Sequence, residues 1–316
     1  MTSPHSGARH RRPKMVAASP MSGVVQRSSA ASATPARPAG LLDRTALVGQ
    51  KAASERRRTD SSTPSRWVTG QAEGHLAGVT SLSAEQPVTV PMMTARWLSQ
   101  TFVHWPYPPE EVQALLPGRP SVWTFRNAAW VGVTPFLMAS VKVLGVVPLP
   151  VSTFTETNVR TSARLPDGRN GLWFLSIDVS NPVMLAARVI GAPYHVGNLK
   201  IRTDGPVIHY TGERRGGGPR YRFAVRPGAP VEVTELDVWL TSRWRSFTQR
   251  AGVLLDTPVE HEPWPLARGT IIDLQETLAT CAGLSAPVGE PVVHFSSGVG
   301  PVRLGATRPA RARGHR

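Results

Sequence analysis

Apolar and polar positions fall into two regimes that meet near residue 91. Up to that point no period of 2 or 3.6 is sustained, and Trp67 is the one aromatic residue among Ser, Ala, Thr, Arg, Pro and Gly. Such a segment cannot bury enough apolar surface to offset its ordering entropy, so 1–90 is expected to be a disordered basic extension. Beyond residue 91 lie eight of the nine Trp, and the pattern becomes that of a folded domain. Trp97, Leu98, Phe102 and Val103 predict a strand. Pro108-Pro109-Glu110-Glu111 predicts a short helix, because proline suits the first turn and acids suit its positive end. Its buried side is Val112, Leu115 and Leu116, and Pro117-Gly118 stops it.

Hairpins follow in series. Val122–Phe125 turns at Arg126-Asn127 into Ala129–Leu137. Thr153–Leu165 turns through 166–171 into Leu172–Val179. Asn181-Pro182 reads as a helix cap and first residue, with Gly191 at the far end. Val196–Arg202 returns as Val207–Thr211, and Tyr221–Val225 follows the Gly216-Gly217-Gly218 loop. Thr234-Glu235-Leu236-Asp237 resembles a capping box and predicts a long helix with Leu236, Leu240, Trp244, Phe247 and Ala251 on one face. Ile271, Leu274, Leu278 and Cys281 predict another, ended by Gly283. Val292–Phe295 reads as a last strand. The sum is one α+β domain over 91–304: a curved or closed, largely antiparallel β-barrel or sheet with three to four flanking helices. Residues 305–316 are expected to be a disordered basic tail.

Charge changes this picture little. The 316 residues carry a net charge of +15, of which +7 lies in 1–90 and +4 in 304–316. Four lysines stand against 32 arginines, a skew that GC-rich coding produces by itself and that argues little for nucleic acid. One cysteine, Cys281, can form neither an intrachain disulfide nor a thiolate cluster. No stretch gives 18 uninterrupted apolar residues, and no apolar segment follows the basic N-terminus, so neither a membrane anchor nor a secretory signal is expected and the default compartment is the cytoplasm. GxxxxGK[ST], GxGxxG, GxSxG and HExxH are absent, and no His pair has metal spacing. No cofactor and no metal are expected. A homo-oligomer is compatible with the sequence.

The most informative local feature is Glu156-Thr157-Asn158-Val159-Arg160. On a strand, Glu156, Asn158 and Arg160 share a face. Arg forks to two oxygens, Asn donates and accepts, and Glu can move a proton, so the row suits a small carboxylate or carbonyl compound. A solvated Glu–Arg pair is the plainer alternative. Arg160, if enclosed, needs a partner, most simply Glu156 or Asp178; which face Asp178 takes depends on a one-residue slip that the six-residue turn leaves open. Tyr194 and His195 follow the Asn181 helix and could donate into a pocket. Arg243, on the long helix, could reach an anion. His261-Glu262-Pro263-Trp264-Pro265 reads as a rigid packed loop.

Taken together, His104-Trp105-Pro106, Ala129-Trp130-Val131-Gly132, Glu156–Thr161, Trp173–Asp178, Ala192-Pro193-Tyr194-His195, Pro263-Trp264-Pro265-Leu266 and His294–Val299 resemble the bacterial family called domain of unknown function 2071. That family is similar in fold to acetoacetate decarboxylase, which implies a curved barrel with an interior pocket and turns the Glu156/Asn158/Arg160 face inward. In the decarboxylases a lysine forms a Schiff base shortly after a Gly-Phe-Pro turn. Gly191–His195 is the comparable stretch here, and no lysine follows its proline. The resemblance therefore implies a pocket without Schiff-base chemistry. Glu156, Arg160 and His195 are the candidate catalytic groups, and Asn158, Tyr194, Asp178 and Arg243 the candidate ligand-binding ones. Lyase-like or hydrolytic conversion, a non-catalytic regulatory barrel, and basic ends touching nucleic acid or a membrane surface are the competing readings.

Overall fold

A computed structural model describes residues 81–310. The chain divides into two units, Met1–Gln71 and Ala72–Arg316. The first unit holds most of the expected extension and lies outside the described residues, as do residues 311–316 of the tail.

Fourteen strands form one mixed sheet. In chain order they are β1 (Met93–Tyr107), β2 (Ser121–Val122), β3 (Ala129–Val143), β4 (Val147–Pro148), β5 (Phe154–Arg164), β6 (Asn170–Val179) and β7 (Tyr194–Asp204). They continue as β8 (Val207–Arg214), β9 (Arg220–Pro230), β10 (Arg245–Arg250), β11 (Val253–Glu260), β12 (Leu266–Glu276), β13 (Val292–Leu304) and β14 (Arg308–Pro309). Among the described residues the flanking helices are α1 (Pro109–Gln113), α2 (Glu235–Thr241), α3 (Leu278–Cys281) and a 3₁₀ helix, Pro182–Ile190.

The pairings close on themselves. From β5 the path β6–β7–β8–β9–β12–β13–β1–β3 leads back to β5. Two strands in this ring change partners along their length. Leu172 and Trp173 of β6 pair with β10, whereas Ile177–Val179 pair with β7. His294–Ser296 of β13 pair with β12, whereas Arg303 and Leu304 pair with β11. The β10–β11 hairpin therefore bridges β6 to β13 and completes a second, smaller ring through β5, β3 and β1. Side chains alternate across a strand, so β1, β3 and β5, shared along their length, present one face to each ring. Val103, Val133 and Val159 join Tyr210, Tyr221 and Phe223 in the apolar filling of the larger ring. The opposite faces of the same strands line the smaller one. The curved, largely antiparallel sheet expected from the sequence is thus present, ring-like and branched rather than a clean barrel; β6 pairs in parallel with both β7 and β10.

The hairpin β5–β6, the Asn181 cap, the left-handed Gly191 and the Thr234/Asp237 capping box all stand where the sequence places them. Three local readings change. The long helix from Thr234 ends at Thr241, and Phe247 lies on β10. Ala251 lies beyond it, exposed in the turn between β10 and β11 with left-handed backbone (φ 48°). The helix expected over Ile271 and Leu274 is strand β12. A bulge between Ile271 and Asp273 restores both residues to the core side and leaves Ile272 exposed. One extra residue makes a spacing of three behave like two, which imitates a helical period. Arg126 and Asn127 do turn with left-handed backbone, but β2 pairs with β5 instead of β3.

The folded region also extends beyond 91–304. Trp244 Nε1 donates to the Ser81 carbonyl at 2.8 Å, Gln86 Nε2 donates to the Trp244 carbonyl at 3.2 Å, and Val88 N–H donates to Glu260 at 2.6 Å. Side chains of the domain hold this polar segment by its backbone, an arrangement with no hydrophobic period to read. On the other side, Arg308–Pro309 pairs with β11.

Candidate functional site

The smaller ring encloses a cavity of about 220 Å³. All seven of its strands contribute to the wall, and the 3₁₀ helix adds Met184, Ala187 and Ile190. Strand β5 supplies Glu156, Asn158 and Arg160 by its period of two. Asn158 lies opposite Thr134 of β3 and accepts a hydrogen bond from its hydroxyl.

Glu156 is buried, and Tyr194 Oη donates to its Oε2 at 3.2 Å. Burial raises the Glu156 carboxyl to about 7, against the opposing hydrogen bonds from Tyr194 and Asn158. Burial, then the neighbouring Glu156, pushes the Tyr194 hydroxyl well above its ordinary range. Tyr194 reaches this position because the chain leaves the 3₁₀ helix through Gly191 in left-handed conformation (φ 80°) and enters β7 beside Ile177 of β6.

Arg160 is the central feature. Its residue is 8% exposed, and its Nε and Nη2 meet no hydrogen-bond partner among the described residues. No carboxylate pairs with it there. Burial alone pushes the guanidinium down to about 10. The Phe102 ring lies 5.3 Å from its Cζ. The expected partners are committed elsewhere. Glu156 takes Tyr194, and Asp178 pairs with Arg214 at 2.7 Å. The register Thr157↔Asp178 settles the open slip: Asp178 stands on the Thr157 side of the strand pair and does not line the cavity.

Two further guanidinium groups line the wall. Arg243 follows α2 instead of riding on a long helix. It is buried against Trp123 and Trp239, with Cζ 4.7 and 4.5 Å from their ring centroids, and donates to Ser162 Oγ at 3.1 Å. Burial, then the charge of Arg160, pushes it down to about 9. Arg245 pairs with Asp256 at 2.8 Å. His195 departs from expectation. It stands beside Asp178 in register and does not line the cavity; burial, then Arg214, lowers its pKa.

The sequence reading passed over several wall residues. His261 sits in the segment read as a packed loop, and its ring meets Trp97, Trp244 and Trp264 with centroids 4.8–5.5 Å away. Burial pushes it down to about 4, so it is neutral at pH 7. Trp97 and Trp264 stack at 6.0 Å. The aromatic density of Pro263-Trp264-Pro265 was the available signal. His104 is buried beside Arg160, and burial, then that charge, holds it well below the usual range. Gly132 makes room for it, since a Cβ there would lie 2.5 Å from His104 Nε2. Among the described residues no group of three His, Cys, Asp or Glu is placed to hold a metal ion. No helix among them is long and apolar enough to cross a membrane. The lysines among them, Lys142 and Lys200, are exposed and away from this cavity.

The ring-like sheet defines the class. It is similar in fold to the enduracididine biosynthesis enzyme MppR complexed with pyruvate, with a TM-score of 0.51, 15% identity, and coverage of 72% of this chain and 94% of that one. An acetoacetate decarboxylase-like enzyme from Sphingomonas wittichii RW1 is similar at a TM-score of 0.48 and 16% identity, over 70% of this chain and 93% of that one. These likenesses concern the acetoacetate decarboxylase-like fold alone. At the level of sequence, the profile of the DUF2071 family, described as an uncharacterized conserved protein, matches residues 94–300, and the chain belongs to that family. The uncharacterized protein YqjF of Bacillus subtilis (strain 168) is 28% identical over 212 residues, 65% of this chain and 87% of that protein.

Proposed function

We propose that this protein binds a small carboxylate compound in the smaller-ring cavity. The observation that carries the reading is Arg160. Burying a cation costs several kcal/mol unless an opposite charge and hydrogen bonds offset it, and among the described residues no carboxylate pairs with Arg160 and its Nε and Nη2 have no partner. A ligand carboxylate would supply both, and a guanidinium is shaped to meet its two oxygens. Asn158 orients the ligand. Glu156, whose pKa of about 7 lets it both give and take a proton near neutrality, is the proton carrier, with Tyr194 holding its carboxyl in place. Tyr194 takes the place first assigned to His195, and Asp178 drops out of the site. Pyruvate bound to MppR is a carboxylate held in a related fold, which supports the reading. A Schiff-base step finds no amine on this wall among the described residues.

Thermal-shift measurements test this reading. Small carboxylates should raise Tm, their carboxamides should not, and Arg160→Gln should lose the effect. Equal stabilisation by acid and amide, or a shift that survives Arg160→Gln, would overturn it.

A further inference from the structure

We infer that the ligand is an amphipathic monocarboxylate, with its head at Arg160 and an apolar tail along the opposite end of the cavity. The inference rests on the carboxylate reading above and adds the tail. The methionines among the described residues are Met92, Met93, Met138 and Met184, and all four line this one cavity. Strand register orders the wall. Arg160 lies opposite Gly132 and Glu156 opposite Phe136; Met138 lies two residues further along β3 and faces Trp97 of β1. From the Arg160 row to the Met138 row is six residues, roughly 20 Å of strand at about 3.3 Å per residue. The charge of Arg243 is felt at the Arg160 end. At the far end Met138 and Met184 belong to an apolar cluster with Phe136 and Ile177, against which Met93 and Trp97 pack. A second carboxylate placed there would meet thioethers, aromatic rings and the Glu156 carboxyl instead of a cation, which disfavours dicarboxylates. Met92, 43% exposed, marks the rim, so the tail points outward and the head lies deep. Methionine is unbranched and polarisable and adapts to flexible apolar chains, which suits a tail better than one rigid ring.

The experiment is a calorimetric titration of the full chain with straight-chain monocarboxylates from acetate to decanoate, with suberate and octan-1-ol as controls. Kd should fall about fourfold for each added methylene across the series. Suberate and octan-1-ol should each bind at least about tenfold more weakly than octanoate, because one places a second charge against the apolar wall near Glu156 and the other leaves Arg160 unneutralised. Affinity independent of chain length, or suberate equal to octanoate, would overturn the tail assignment and leave carboxylate binding standing. Octan-1-ol equal to octanoate, or no acid of any length binding, would remove the carboxylate reading itself.

Discussion

Arg160 shows how far a single residue can be read from sequence. The alternation Glu156, Asn158, Arg160 told which side chains share a face, and the structure places all three on one cavity wall. Whether Arg160 has a partner could not be told, because that depends on a register set across a six-residue turn and on Tyr194, 34 positions away. The consequence reverses the usual expectation for a buried Arg. Had it been paired, truncation would cost about 3–5 kcal/mol by stranding the partner. With no carboxylate partner among the described residues, Arg160→Met removes a desolvated charge, so denaturant unfolding should show stability unchanged or raised while anion binding disappears. A loss of several kcal/mol would mean a partner that the structure does not show.

Glu156 adds a pH dependence. Its folded pKa, about 7, lies above the ordinary carboxylate value of 4.5, so the native state holds the proton more tightly than the unfolded chain does. The stabilisation is fully present below about pH 4.5 and is lost as pH rises through about 7, a difference of order 3 kcal/mol. Glu156→Gln should therefore gain stability relative to wild type at pH 8 and little at pH 4.5. Urea unfolding at the two pH values checks this, and an equal effect at both would refute a raised Glu156.

At the scale of elements, hairpins and caps were readable because their signals are local: Asn181-Pro182, the Thr234 box, and Gly191. The late helices were read too long: the one from Thr234 stops at Thr241, and the bulge in β12 imitates a helical period. Gly191 links element to site. It has left-handed backbone (φ 80°), and a Cβ there would run into the Gln249 carbonyl of β10, part of the cavity's wall hairpin. Gly205 has similar backbone (φ 53°) with open space around it. Gly205→Ala should cost only the backbone strain, about 1–2 kcal/mol. Gly191→Ala should cost more and also weaken ligand binding, since β10 and Tyr194 must both shift. Equal losses in unfolding experiments would show that β10 does not press on the end of the 3₁₀ helix.

At the scale of the whole molecule, an antiparallel sheet that curves and closes follows from serial hairpins. Its branching does not, because β6 and β13 change partners midway and no sequence period records such a switch. The smaller ring exists only through that switch, and with it the enclosure that turns an ordinary strand face into a cavity wall. Residues 81–90 were equally hidden: Arg245, which lines the cavity, also reaches Glu85 and Gln86, polar residues that read as extension. The most direct measurement of the central claim is a crystal structure of the full chain with octanoate. The carboxylate oxygens should lie about 2.7–2.9 Å from Arg160 nitrogens, with the chain running along the wall in the direction of Met138. A head group at the methionine rim, or octanoate bound only outside the smaller ring, would contradict the assignment of Arg160 as the anion receptor.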